Sequence, residues 1–261
     1  MYYGVDACQG GWCVAKLRRL KGKPEDGAPE DDGTPAELEV LPSFAEVARR
    51  ALEGGAEVVF VDMPIGLPDG RKVRRRVCDS LARRTLGRQS SSVFPVPVRP
   101  ALEARTYEEA SRVQQEVAGG RLSRQSWGLA AKILEVDRTL REDPLTARLA
   151  PRVYESHPEL CFLRLNGGQP VEWSKRSAAG VLARARLLRP YLGDVWAFIS
   201  EQRAGLEAAA IDDVLDALVL AVHARLAPER GMLSLPPQPE IDVGGLPMRI
   251  VTADLGGPLT S

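Results

Sequence analysis

The stretch Glu57-Val58-Val59-Phe60-Val61-Asp62-Met63 decides the fold. Four apolar residues in succession, three of them β-branched, leave no polar face, so the segment predicts a strand covered on both sides by helices. Asp62 ends this run with a charge, and an unpaired charge inside an apolar interior costs on the order of several kcal/mol. Upstream, Ser43 and Glu46 form a capping box for a helix that ends at Gly54-Gly55. Tyr2–Asp6 and Trp12–Leu17 flank Gln9-Gly10-Gly11 and predict a hairpin, and the alternating Glu37–Leu41 predicts a third strand beside the second. Between them, Lys21 to Pro35 is rich in Gly, Pro and acid and predicts a solvated loop. The order implies a mixed α/β sheet with strands one to three antiparallel, and with Val58–Asp62 and Val153–Glu155 parallel to the first.

Downstream of Asp62 the pattern loosens. Pro64, Gly66, Pro68 and Gly70 open a stretch that closes at Phe94-Pro95-Val96-Pro97-Val98-Arg99-Pro100, and Arg71 to Arg88 is the most basic part of the chain. Leu129, Ile133, Val136 and Leu140 give Trp127–Leu140 a helical spacing, as Ile211, Leu215, Leu218 and Val222 do for Ile211–Leu226. A Pro-rich tail after Pro236 ends in a last strand at Met248–Val251. No repeat interrupts the 261 residues, which read as one domain, 1–261.

The chain has 35 basic and 35 acidic residues and a net charge of +0, which excludes bulk cationic attraction to nucleic acid or membrane but allows a local basic patch. No apolar run approaches the ~18 residues of a membrane span, and the start Met1-Tyr2-Tyr3-Gly4-Val5-Asp6 lacks the features of a signal peptide. The expectation is a cytoplasmic protein without a membrane partner. Its four cysteines, with no C-x-x-C pair, read as reduced core residues, and its two histidines are too few for a His-rich zinc site. Hydrolytic chemistry here would rest on carboxylates.

Asp6, Asp62 and Glu155 each end a predicted strand, and strand ends are where α/β sheets build sites. On the final predicted helix, Asp212, Asp213 and Asp216 share one sector, where like charges need a counter-charge. If these groups converge, hard oxygen ligands of this kind suit Mg²⁺ or Mn²⁺ without histidine or cysteine. Such ions activate water and stabilise a leaving oxygen in phosphodiester hydrolysis. The plainer reading makes the acids caps and ion-pair partners. Arg74, Arg75 and Arg76 are candidates for phosphate contacts, against the alternative of a solvated helix face. Gly10-Gly11 fits a tight turn, and His157 beside Pro158 is either a hydrogen-bonded structural residue or a proton shuttle near Glu155.

The runs G4-V-D6-A-C-Q-G10-G-W, F60-V-D62-M-P-I-G-L-P, S91-S-V-F-P, Y154-E155-S-H-P-E-L and D212-D-V-L-D216-A-L occur in this order. Together they resemble the family of predicted RNase H-like nucleases that carries domain of unknown function 429, from about Tyr3 to Leu226, with a weaker echo at Gly245-Leu246. The resemblance implies an RNase H-like mixed five-stranded sheet and matches Asp6 to the acid of strand one and Asp62 to that of strand four. It matches Asp213 and Asp216 to the D-x-x-D of the resolvases' last helix, and leaves Glu155 at the end of the fifth strand, where the superfamily varies. The expected function is a metal-dependent nuclease with catalytic Asp6, Asp62, Glu155, Asp213 and Asp216. Asp6, Asp62 and Asp216 would hold Mg²⁺ or Mn²⁺ with Asp213 assisting. Its partner would be nucleic acid, DNA or RNA undetermined, with a homodimer left open. The stretch 64–151 exceeds the single helix usual between strands four and five and predicts a helical insertion. A non-catalytic binding or scaffold domain is the alternative. An actin-like phosphotransferase would need a second β-β-β-α-β unit, and none appears.

Overall fold

The computed structural model describes residues 1–19 and 37–256, so the loop expected at Lys21 to Pro35 lies outside the described residues. Strands β1 (Tyr2–Cys8), β2 (Gly11–Leu17) and β3 (Glu37–Leu41) lead into α1 (Phe44–Glu53) and β4 (Val58–Val61). The chain then passes through α2 (Val77–Leu86), α3 (Arg99–Leu102), α4 (Tyr107–Ala118), α5 (Arg124–Gly128) and α6 (Ala130–Arg141), with 3-10 turns at Gly87–Ser92 and Thr146–Arg152. Next come β5 (Val153–Glu155), α7 (Pro158–Leu165), α8 (Ala178–Leu192), α9 (Val195–Glu201) and α10 (Ile211–Arg230). A ribbon of β6 (Met232–Ile241) and β7 (Pro247–Ala253) follows. The expected mixed sheet is present in the order β3-β2-β1-β4-β5, antiparallel across β1, β2 and β3 and parallel across β1, β4 and β5.

Strand alternation sorts the sheet's side chains onto two covered faces. Tyr2, Cys13, Ala15, Val58 and Phe60 pack with α10, α7 and α8, whereas Tyr3, Val5, Val14, Val59 and Val61 pack with α1 and α6. The continuous Val58–Val61 run is therefore buried throughout because both of its faces meet helices. Ser43 caps α1 by accepting from the Glu46 N–H at 3.2 Å. Glu46 does not complete the box, because its carboxylate turns to Arg49 and Arg50.

Two details differ from the sequence expectation. The Trp127–Leu140 helix is broken at Leu129 into α5 and α6, and Ile133, Val136 and Leu140 of its stripe are buried. The Pro-rich segment forms β6, and its register breaks between Leu235 and Glu240, so Pro236, Pro237 and Pro239 sit where no ladder partner needs an N–H.

Helix α10 lies directly on β1. A Cβ at Gly4 would come within 2.1 Å of the Ala217 carbonyl oxygen and 2.2 Å of the Ala221 nitrogen, both backbone atoms that cannot turn aside. Gly4, Ala217 and Ala221 thus set the separation of helix and sheet. Gly4→Ala should destabilise the fold by about 3 kcal/mol, at or above the usual cost of overpacking. Urea unfolding measures this, and an unchanged midpoint would contradict the close approach.

The fully buried His223 side chain ties α10 to its neighbours. Its Nδ1 accepts from the Ala253 N–H at 3.1 Å, so Nε2 carries the proton and donates to the Cys161 carbonyl at 3.1 Å. Burial lowers its pKa to about 3, with the Cys161 contact opposing. An unfolded chain takes up this proton near pH 6.5 and the folded one does not, so stability falls as pH drops below about 6.5 towards 3. Between pH 7.5 and 5 the wild type should lose about 2 kcal/mol more than His223→Gln in denaturant titrations. Parallel profiles for the two proteins would contradict it.

A candidate carboxylate centre at the strand ends

Register and alternation place the first two acids. Tyr2 pairs with Val58 and Gly4 with Phe60, and the Asp62 N–H donates to the Val5 carbonyl at 2.9 Å. Asp6 and Asp62 therefore follow Gly4 and Phe60 onto the face covered by α10. On α10, Asp216 immediately precedes Ala217, the residue seated on Gly4. Asp6, Asp62 and Asp216 line one cleft of about 380 Å³ with Ser92, Phe94, His157, Glu159, Lys175 and Arg176.

Electrostatics report the same convergence. Burial raises the Asp6 pKa well above the usual carboxylate range, and the charges of Asp62 and Asp216 raise it further. Burial also raises Asp62, against the pull of His157 and Lys175, and Glu159 adds to the rise. Asp216 is raised by burial in spite of Lys175, again with contributions from Asp62 and Glu159. The cation of the cluster is Lys175, whose Nζ lies 2.6 Å from Asp216 Oδ2 and 3.8 Å from Asp212 Oδ2. Burial opposes its charge, but Asp216, Asp6 and Asp62 hold its pKa above the ordinary lysine value.

Of the remaining expected residues, Glu155 also borders the cleft, but its carboxylate is engaged by other partners. β5 pairs Glu155 with Val61, so alternation turns it to the face opposite Asp6 and Asp62. Its Oε1 meets Arg76 at 2.5 Å and its Oε2 accepts from the Ile65 N–H at 2.7 Å. Burial raises its pKa to about 7 against the Arg76 charge. Arg76 is 1% exposed, pairs also with Asp79 at 3.1 Å, and so offers no free guanidinium for phosphate, whereas Arg74 and Arg75 are exposed. Asp213 does not line the cleft: its Oδ2 accepts from the Ala210 N–H at 3.1 Å and caps α10.

Asp79, Glu159, Lys175 and Arg176 are charged cleft residues that sequence reasoning passed over. Lys175 sits in no recognisable pattern. Glu159 lies inside the quoted Y154-E155-S-H-P-E-L run, but its helical position gave no strand-end signal. Asp216 Oδ1, Glu159 Oε2 and His157 Nδ1 are all buried without a hydrogen-bond partner. Among the described residues, no three His, Cys, Asp or Glu side chains stand together in a group able to hold a metal ion as they are. The donor chemistry nonetheless fits a hard divalent cation, because the Asp side chains offer carboxyl oxygens and one of these is buried and unpartnered.

All four cysteines are free thiols. Among the described residues, no helix is long and apolar enough to cross a membrane. No curated protein and no solved structure matches the chain. The family described as "Protein of unknown function (DUF429)" matches residues 4–241, and the chain belongs to it.

Proposed function

We propose that the chain is an RNase H-like, metal-dependent nuclease that hydrolyses phosphodiester bonds at the cleft of Asp6, Asp62 and Asp216. The observation that carries this reading is the burial of three mutually repelling carboxylates at the ends of adjacent parallel strands and on the helix packed over them. Such an arrangement costs stability unless a cation compensates it. Asp6, Asp62 and Asp216 would hold Mg²⁺ or Mn²⁺, and Asp213 would act indirectly by fixing the start of α10. When bound, the ion would supply an activated water and stabilise the leaving oxygen. Glu155 braces the floor through Arg76 and Ile65, and Lys175 and Arg176 stand at the cleft to meet a phosphate.

Reading 64–151 as a helical insertion in that fold belongs to the same proposal, as does a nucleic-acid partner. The free thiols fit the reducing cytosol, where this reading places the protein. The Lys175–Asp216 ion pair favours one second reading, a non-catalytic binding or scaffold domain whose acids are permanently neutralised.

Millimolar Mn²⁺ should raise the melting temperature of the wild type and support cleavage of DNA or RNA. Asp6→Asn should lose both effects while its metal-free form is at least as stable, since the change relieves repulsion. A wild type without a Mn²⁺ shift, or an identical shift in Asp6→Asn, would leave the scaffold reading in its place.

The exposed Arg74 and Arg75 extend the basic stretch that leads into α2, whose Asp79 lines the cleft. Replacing both by Ala should weaken nucleic-acid binding and reduce its salt slope by about 1 to 2. Unchanged affinity across several salt concentrations would return them to a solvated surface.

A further inference from the structure

Glu159 opens α7 immediately behind the cleft and is 8% exposed. The more deeply buried Arg184 of α8 grips its Oε1 at 2.6 Å, and Arg184 is itself fixed by donating to the Trp173 and Gly180 carbonyls, each at 3.2 Å. The second carboxylate oxygen, Oε2, is buried and has no partner. A buried anionic oxygen left unsatisfied keeps its full desolvation penalty, which exceeds what a single made hydrogen bond contributes. Glu159 also shares the cleft with Asp6, Asp62 and Asp216, and its charge is felt at both Asp62 and Asp216.

Glu155 presents the opposite case. It too borders the cleft, but both of its oxygens are engaged, one by Arg76 and the other by the Ile65 N–H. It has no oxygen to give a ligand without breaking a buried ion pair.

We infer that Glu159, and not Glu155, joins Asp6, Asp62 and Asp216 as a ligand of a divalent cation, through its unpartnered Oε2. The inference rests on the metal-dependent reading proposed above. Arg184 then serves as the outer hydrogen-bond partner that aims the ligating carboxylate, a support that metal sites commonly build around their carboxylates. Two unpartnered buried oxygens, Glu159 Oε2 and Asp216 Oδ1, become satisfied in the same event.

Calorimetric titration of Mn²⁺ into the metal-free full chain tests this. Glu159→Gln should weaken binding by about 10-fold or more, while Glu53→Gln on the exposed face of α1 leaves it unchanged. The amide of Glu159→Gln still accepts from Arg184, so the fold should survive, and circular dichroism checks it. Should that variant fail to fold, anomalous scattering from Mn²⁺ in wild-type crystals decides, with the ion expected about 2.0 to 2.6 Å from a Glu159 oxygen. Wild-type binding that Asp6→Asn abolishes but Glu159→Gln leaves intact overturns this inference alone, as does an ion on Asp6, Asp62 and Asp216 with Glu159 turned away. A wild type that binds no Mn²⁺ overturns the metal reading and this inference with it.

Discussion

The seat of α10 on β1 governs the rest of the molecule. With hydrogen alone at Gly4 and methyl groups at Ala217 and Ala221, helix and strand backbones approach to a distance no larger side chain would permit. That approach fixes the height of α10 above the sheet and brings Asp216 over the ends of β1 and β4. The same helix carries His223, which anchors it to α7 and β7 through backbone partners. Apolar packing on both sheet faces supplies the main driving force, but the glycine contact sets the geometry of the acids.

The cluster this creates is costly as well as ordered. Burial raises the pKa of all three carboxylates, the charges of Asp62 and Asp216 raise Asp6 further, and Lys175 is a cation that offsets them. A lysine ammonium is a compact charge on a flexible stem, able to withdraw when another cation arrives. Glu155 and Arg76 form a different kind of pair at the border of the same cleft, with both Glu155 oxygens engaged, which holds the loop after β4 against α2. The acids around the cleft thus divide into Glu155, whose oxygens are both partnered, and Asp216 and Glu159, which each retain an unpartnered oxygen.

Much of this was legible in the sequence. The Val58–Val61 run, the hairpin and the alternating third strand sufficed for the five-stranded order, because hydrophobic period and turn residues are local properties. Asp6, Asp62 and Asp216 were legible for the same reason, each ending or bordering an apolar pattern. Glu155 shared that signal, but its face depends on the pairing register with Val61, which the sequence does not carry. Arg76 looked like its basic neighbours until tertiary packing buried it. Asp213 read as part of a helix sector, and only the chain path before α10 makes it a cap. Lys175 and Glu159 reach the cleft through long-range packing of α7, α8 and α10, so no local pattern marks them. Strand β6 hid behind its prolines, which a bulged ribbon tolerates and an interior strand would not.

Asp6, Asp62 and Asp216 share one electrostatic environment, and within the chain Lys175 is the cation that answers it. The melting temperatures of Lys175→Gln and the wild type, each with and without Mn²⁺, put this coupling to the test. Removing the resident ammonium should lower the melting temperature of the metal-free protein and enlarge the Mn²⁺-dependent rise, because the ion then fills a site that no longer holds a competing charge. An unchanged metal-free melting temperature together with an unchanged or smaller Mn²⁺ shift would contradict the account.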